Sequence, residues 1–401
     1  MNHASIIPLI GGISLASDEV YGTKPKWIAS YDVFGENDSH LLNHYEFKNH
    51  NVPYYVLDND ERKPTNKLES VDVVSTVCPC AGLSTMSHHS GADNPKNDWM
   101  AVTAEYVLEN IKPKVFWGEN APTFAGNTGK KIRDRIFEIG KKNGYTMTVY
   151  KTKSLLHGLP QYRQRSFYFF WKEKDHVPLM NYYKRPYPQI KDFIDSIQGN
   201  SQQELTNTKA LRDNPYYTYI MDNMHPGLTH AEFVDQLDHS YELTGYIRKQ
   251  GITFPELAAY FRKEGLEKEA DKCERRHEKI QAGGGIMTRA LYVPKDYTGA
   301  FVGHLPRNMT HPVEERFLTY RECMGMMGLP QDFELLNPSK NLNHVCQNVP
   351  FTTAKDMATE VLGYLNGDRP MIKANQLLQD NHKHEHKVWD ASYNSLEGFI
   401  Q

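Results

Sequence analysis

The sequence predicts an α/β protein, with a Rossmann-like doubly wound sheet and a second, irregular domain. Three observations carry this. Short β-branched and aromatic runs alternate with amphipathic helices over residues 6–171. The first strand runs into a Gly11-Gly12 turn and a helix, and the second strand ends at a carboxylate, Asp32. After Lys172 the alternation stops, and tyrosines and prolines cluster in Tyr182-Tyr183-Lys184-Arg185-Pro186-Tyr187-Pro188.

Residues 6–10 read as the first strand and 14–20 as the helix behind it. Residues 26–31 read as the second strand and 53–57 as the third, which ends at Asp58; 41–47 have helical spacing. The run 71–77 is the fourth strand. It stops at Pro79, which cannot donate to a ladder, and Cys80 follows at once. A helix over 99–111 leads to a fifth strand, 113–117, and on to Glu119-Asn120. The helix predicted over 130–142 carries Ile132, Ile136 and Ile139 on one face. A strand at 145–150, the segment Leu159-Pro160-Gln161-Tyr162-Arg163-Gln164-Arg165 and a very apolar strand at 166–171 complete the series. Strand, glycine turn, helix and carboxylate together make the nucleotide-binding half of a Rossmann-like unit. The glycines allow close backbone approach. Asp32, or Glu36 just beyond it, can accept hydrogen bonds from ribose hydroxyls, while Asp58 either contacts an adenine amino group or caps a turn.

In the second region, 256–280 reads as one charged helix with acidic and basic residues interleaved, for which a solvated helix is the simpler reading. Regular patterning returns at Thr319, an N-cap with Glu322 three residues on as a capping box; Gly328 and Pro330 end that helix. Residues 352–365 are helical, and the tail beyond Asn366 is polar. Its stretch His382-Lys383-His384-Glu385-His386-Lys387 reads as solvated rather than metal-binding.

With 39% hydrophobic and 24% charged residues, the 401-residue chain has the composition of a globular enzyme. No apolar run approaches the ~20 residues of a membrane span. The first residues show no basic leader, and five cysteines do not make a disulfide framework, so a reduced, cytoplasmic setting is expected. Cys78 and Cys80 are too close together for a zinc site, and no metal is expected. A net charge of −3 argues against a wholly basic coat but not against a local basic cleft.

Cys80, Glu119 with Asn120, and Arg163 with Arg165 each flank a strand of the same sheet. Taken alone, a cysteine is a small buried residue, a glutamate starts a helix, and arginines form surface pairs. Together, a thiolate, a carboxyl and two guanidiniums suit covalent chemistry on a heteroaromatic ring. The carboxyl can protonate a ring nitrogen while sulfur attacks the adjacent carbon.

These stretches resemble the DNA (cytosine-5) methyltransferases. Pro79-Cys80, with Ser84 beyond, is similar to the nucleophile loop, and Glu119-Asn120 to the Glu-Asn-Val motif whose glutamate contacts cytosine N3 and its amino group. Gln161, Arg163 and Arg165 match Gln-x-Arg-x-Arg; Leu318-Thr319-Tyr320-Arg321-Glu322, with Gly328-Leu329-Pro330, matches the Leu-Thr-x-Arg-Glu segment. The resemblance implies a catalytic, S-adenosylmethionine-binding domain over 1–172. It further implies a target-recognition domain over 173–312, C-terminal helices completing the catalytic domain over 313–366, and a tail over 367–401. It implies S-adenosyl-L-methionine as cofactor, held by Ile10, Gly11, Gly12, Asp32, Glu36, Asp58, Pro79 and Asn348. The catalytic set would be Cys80, Glu119, Arg163 and Arg165, with Ser84, Asn120 and Gln161 at the substrate. The implied partner is double-stranded DNA, bound by a monomer with a companion restriction endonuclease. Cytosine would be flipped out, attacked at C6 by Cys80 and methylated at C5. Four positions depart from the family pattern. Leu9-Ile10-Gly11-Gly12-Ile13 displaces the second glycine of Phe-x-Gly-x-Gly, and Cys78 replaces a proline. Ala81 replaces a glutamine, and Cys346-Gln347-Asn348-Val349-Pro350 replaces Gly-Asn-x-Val-Pro. The alternatives are a relative acting on modified cytosine, with a modified cofactor or on RNA, or a silent DNA-binding homologue.

Overall fold

The structure, a computed structural model, describes residues 1–30, 51–57, 67–78, 82–84, 91–199, 202–286, 290–303 and 305–376, and the backbone of 386–388. The helix expected over 41–47, and Asp32, Glu36, Asp58, Pro79 and Cys80, lie outside the described residues. Two compact units form. One is Met1–Tyr187 with Met327–Asn337 and Gln347–Gln401; the other is Pro188–Met326 with Pro338–Cys346.

Among the described residues, the main sheet of the first unit has eight strands: β1 (His3–Ile6), β2 (Ile28–Ser30), β3 (Tyr54–Val56), β4 (Val73–Val77), β5 (Val115–Asn120), β6 (Thr146–Lys153), β7 (Gln164–Trp171) and β8 (His386–Val388). They form one sheet in the order β8-β6-β7-β5-β4-β1-β2-β3. The five strands β1 to β5 pair in parallel, whereas β7 lies antiparallel between β5 and β6. Strand order reverses at β1 and β4, where an open parallel sheet leaves a crevice beyond its carboxyl ends. A buried chain of hydroxyls ties the reversal together. Ser14 Oγ donates to Ser5 Oγ at 2.7 Å, and the Ser5 and Ser75 hydroxyls lie 2.9 Å apart.

β1 ends at Ile6, four residues short of the expected strand. Pro8 has no N–H to give a ladder, and Ile7 and Leu9 take left-handed φ values of 53° and 54°. The apolar run is therefore a buried turn into α1 (Gly12–Tyr21). α2 (Asp98–Tyr106) closes in a wider last turn, Val107–Ile111, before Lys112 reverses the chain. α3 (Lys130–Lys142) spans the residues expected of it. The chain returns at α4 (Phe351–Leu365), which packs against α1.

That return is held by two buried carboxylates. Glu360 accepts from Asn181 N at 3.0 Å, Asn181 Nδ2 at 3.1 Å, the Tyr183 hydroxyl at 2.5 Å and Arg369 Nε at 2.7 Å. Asp356 meets His157 Nδ1 and an Arg185 guanidinium nitrogen, each at 2.7 Å, and His157 Nε2 lies 2.8 Å from Thr152 Oγ1.

The second unit is more regular than its composition predicts. Short helices surround a core of its own that includes Tyr217, Ile220, Phe233, Leu257 and Phe261. The single helix expected over 256–280 is two helices, Phe254–Lys263 and Glu267–Gln281. Gly265, at φ 73°, makes the break between them. The expected capping box is present. Thr319 Oγ1 accepts from Glu322 N at 3.1 Å, and Glu322 Oε2 accepts from Thr319 N at 2.8 Å.

Glu360→Ala leaves Arg369 and the Asn181 and Tyr183 donors without their shared acceptor. It should cost about 3–5 kcal/mol of stability, as loss of one partner of a buried ion pair does. Denaturant unfolding of the variant against wild type measures this; a cost under about 1 kcal/mol, the scale of an exposed pair, would show the cluster to be dispensable.

Candidate active site

The antiparallel insertion of β7 builds the site. Because β7 runs against β5, its amino end lies at the same sheet edge as the carboxyl ends of β4 and β5. Glu119, in β5 rather than beyond it, pairs in register with Val77 on one side and Phe167 on the other. Arg165 enters β7 two residues before Phe167, and its Nε meets Glu119 Oε1 at 2.6 Å. Glu119 is 3% exposed. Burial pushes its carboxyl pKa up, and the guanidiniums of Arg165 and Arg163 pull part of that rise back. A carboxyl in this balance can hold a proton and then give it up as charge develops beside it.

Arg163 is buried and turns the other way. It donates from a terminal guanidinium nitrogen to the Asn348 carbonyl at 2.9 Å. The Asn348 side chain accepts from Gly12 N at 3.0 Å. A Cβ on Gly12 would stand 2.3 Å from Val349 O, so only glycine fits there. Glu119 with Arg165, and Arg163 with Asn348 and Gly12, thus form two sets of contacts that start two residues apart in the chain. Gly11 begins α1 with φ 99° and no side-chain cap, and Ile10 is buried just before it.

Other expected substrate residues are committed to the fold. The Asn120 Nδ2 donates to Met100 Sδ at 3.2 Å, and its Oδ1 accepts from Ala121 N at 2.8 Å. Gln161 is buried, with Nε2 3.6 Å from Met327 Sδ. Ser84 is half-buried, just past Leu83, whose carbonyl accepts from Thr123 Oγ1. The four described cysteines are all buried. Cys78 shares weak contacts with Thr76 Oγ1 at 3.6 Å and the Tyr168 hydroxyl at 3.8 Å. Burial raises its thiol pKa, so Cys78 is a protonated core residue and a poor nucleophile. Tyr168 escaped the sequence reading. The available signal was Gly118 inside an apolar strand, where a Cβ would stand 2.5 Å from the Tyr168 hydroxyl.

A family model described as C-5 cytosine-specific DNA methylase matches residues 1–362. The chain belongs to that family. A curated relative, the type II methyltransferase M.Bsp6I of Bacillus sp. (strain RFL6), is 23% identical over 198 residues, or 48% of this chain. The match spans 59% of that relative's length. Among solved structures, one described as a prophage-encoded putative DNA modification methyltransferase (E. coli) aligns over 91% of this chain and 99% of its own, with TM-score 0.56 at 17% identity. The Entamoeba histolytica methyltransferase EhMeth aligns over 92% and 98%, with TM-score 0.51 at 12% identity. At these identities the structural likenesses concern the fold, a class I S-adenosylmethionine-dependent methyltransferase sheet. Methylase membership implies that cofactor, and the crevice residues fit it. Asn348 Nδ2 is buried with no hydrogen-bond partner among the described residues, and α1 opens without a side-chain cap. Both leave donors for the carboxylate and hydroxyl oxygens of S-adenosylmethionine. Among the described residues no cluster of His, Cys, Asp and Glu could hold a metal ion, and no helix is long and apolar enough to cross a membrane.

A carboxyl with a raised folded pKa favours folding at pH below its unfolded value, and that contribution is lost as pH rises through the folded pKa. Glu119→Gln, which stays neutral, should therefore gain stability relative to wild type as pH climbs from about 4 towards neutrality. Parallel denaturant titrations across that range test this; a constant gap between the proteins would mean that Glu119 ionises as in the unfolded chain.

Proposed function

We propose that the chain transfers a methyl group from S-adenosylmethionine to C5 of a flipped-out cytosine in double-stranded DNA, through a covalent bond between Cys80 and C6. The observation that carries this is the buried Glu119–Arg165 pair at the edge where β4 ends, three residues before Cys80 in sequence, in a chain of the C-5 cytosine-specific DNA methylase family. Cytosine C5 is a poor nucleophile until C6 carries an added group. The Cys80 thiolate adds to C6, and Glu119 gives its proton to N3 as negative charge builds on the ring. Arg165 fixes the carboxyl's orientation and stabilises it once ionised. The methyl group comes from the sulfonium of the bound cofactor. Departure of the C5 proton to solvent then returns an electron pair to the ring and expels the Cys80 sulfur as thiolate, and the N3 proton goes back to the Glu119 carboxylate. Arg163 keeps the Asn348 loop seated, so the cofactor crevice and the base site hold a fixed spacing. In this reading the DNA is held as duplex by residues 173–312, one base being extruded into the crevice. Intact Glu119, Arg163 and Arg165 favour turnover over a silent DNA-binding role. The protein acts as a monomer in the cytoplasm, and a companion endonuclease fits the type II relative.

Two experiments test the reading. With S-adenosylmethionine present, DNA carrying 5-fluorocytosine has no C5 proton to lose after transfer, so the adduct should persist on a denaturing gel. Wild type and Cys78→Ser should shift to a DNA-linked band, and Cys80→Ser should not. A band that survives Cys80→Ser but vanishes with Cys78→Ser would move the nucleophile by two residues. Absence of any adduct on bound, target-bearing DNA would favour a silent binding protein.

The ribose of the cofactor is assigned to Asp32 or Glu36. Replacing the residue that holds it by alanine should cost about 1.5–3 kcal/mol of cofactor binding. Calorimetry on Asp32→Ala and Glu36→Ala reads this directly, and unchanged affinity in both would sink the assignment.

A further inference from the structure

The charges of the helix Glu267–Gln281 alternate in sequence but separate in space. At roughly 100° per residue, Lys268, Lys272, Arg275, Arg276 and Lys279 fall within one arc of about 100°. Glu267, Asp271, Glu274 and Glu278 fall on a neighbouring arc of about 60°. Ala270 and Cys273 are fully buried and fix which way the helix faces. The acidic arc is answered from within the unit. Arg262 reaches Glu267 at 3.5 Å, Asp271 at 3.4 Å and both oxygens of Glu274. The basic arc has one answering carboxylate among the described residues, Glu269, at 2.5 Å from Lys272. Lys268, Lys272, Arg275 and Lys279 are exposed. Arg276 is held in place by the Tyr216 hydroxyl at 2.8 Å, with its guanidinium over the rings of Tyr216 and Phe254. A hollow of about 240 Å³ is lined by Lys272, Arg275, Arg276, Lys279 and Ile286. Packing like charges around a hollow costs energy unless an anion sits there.

We propose that this basic face is a contact surface for the phosphate backbone of duplex DNA, supplying affinity and register rather than base choice. The inference rests on the reading of the chain as an enzyme acting on DNA. The cations are spread along about 16 Å of helix, from Lys268 to Lys279, at 1.5 Å per residue. That length matches a repeating polyanion rather than a single phosphate.

The test is a salt titration of binding to a short random-sequence duplex, by fluorescence anisotropy, with the full chain. The variants are K268Q/K272Q/R275Q/K279Q and the charge-preserving K268R/K272R/R275K/K279R. Each lost phosphate contact lowers the slope of log affinity against log salt by about 0.9. The neutralised variant should therefore lose up to about 3–4 units of slope and at least roughly tenfold in affinity at low salt. The charge-preserving variant should keep the wild-type slope. A neutralised variant that melts like wild type and keeps its slope overturns the inference while leaving the enzymatic reading intact. Wild type that binds no duplex DNA at any salt overturns both. Tighter binding of duplex RNA through the same four residues would replace DNA by RNA and overturn the assignment.

Discussion

The first unit closes on Asn348. This residue stands 336 positions from Gly12 in sequence, yet its side chain accepts from the Gly12 amide and its carbonyl accepts from Arg163. The turn into α1, the entry of β7 and the chain's return are therefore tied together through this residue. Gly12 is fixed by this contact, since a Cβ there would push the Val349 carbonyl away, and overpacking of that kind costs about 1–3 kcal/mol. The hydrogen bonds that seat Asn348 contribute about 1 kcal/mol each. They hold because α4, pinned by Glu360 and Asp356, brings residue 348 back to α1, so only a short loop remains to be closed.

The antiparallel β7 supplies the second constraint. A fully parallel sheet would place the amino end of that strand, and with it Arg165, at the opposite edge from Glu119. Reversing one strand brings the arginine to the carboxyl. The same reversal explains the charge balance at the site. Burial favours the protonated acid, and two guanidiniums favour the carboxylate. A group held between the two can donate a proton without staying neutral throughout. Cys78, two residues before the proposed nucleophile, has burial with no cation to offset it. Cys78 is thus a core thiol.

Much of this was legible in sequence because the signals are local. Alternating strands and helices marked the sheet, Thr319 with Glu322 marked a cap, and the spacing Gln161, Arg163, Arg165 marked a strand entry. What escaped depends on long-range contacts. The end of β1 escaped because Ile7-Pro8-Leu9-Ile10 is as apolar as a strand, and only the backbone shows that Ile7 and Leu9 turn left-handed. The internal role of Asn120 escaped because its partner, Met100, comes from α2. The sorting of charge around the helix Glu267–Gln281 escaped for a geometric reason. Interleaving along the chain looks like neutralisation, but a period of 3.6 residues sorts those charges onto separate faces.

The left-handed residues bear on the departures from the family's glycine pattern. Ile7, Leu9 and Gly11 all hold positive φ within five residues, though only the last is glycine. For a residue with a Cβ, that conformation costs of order 1 kcal/mol or more. The loop keeps the shape although two of the three positions carry side chains that oppose it, so the surroundings must impose it. Those surroundings are identifiable: Ile7 N donates to Ala29 O at 2.7 Å, Val77 N to Ile7 O at 3.2 Å, and Gly11 N to Pro8 O at 2.9 Å. β2 and β4 thus grip the turn from both sides. Its form is set by the strands around it as much as by glycine content.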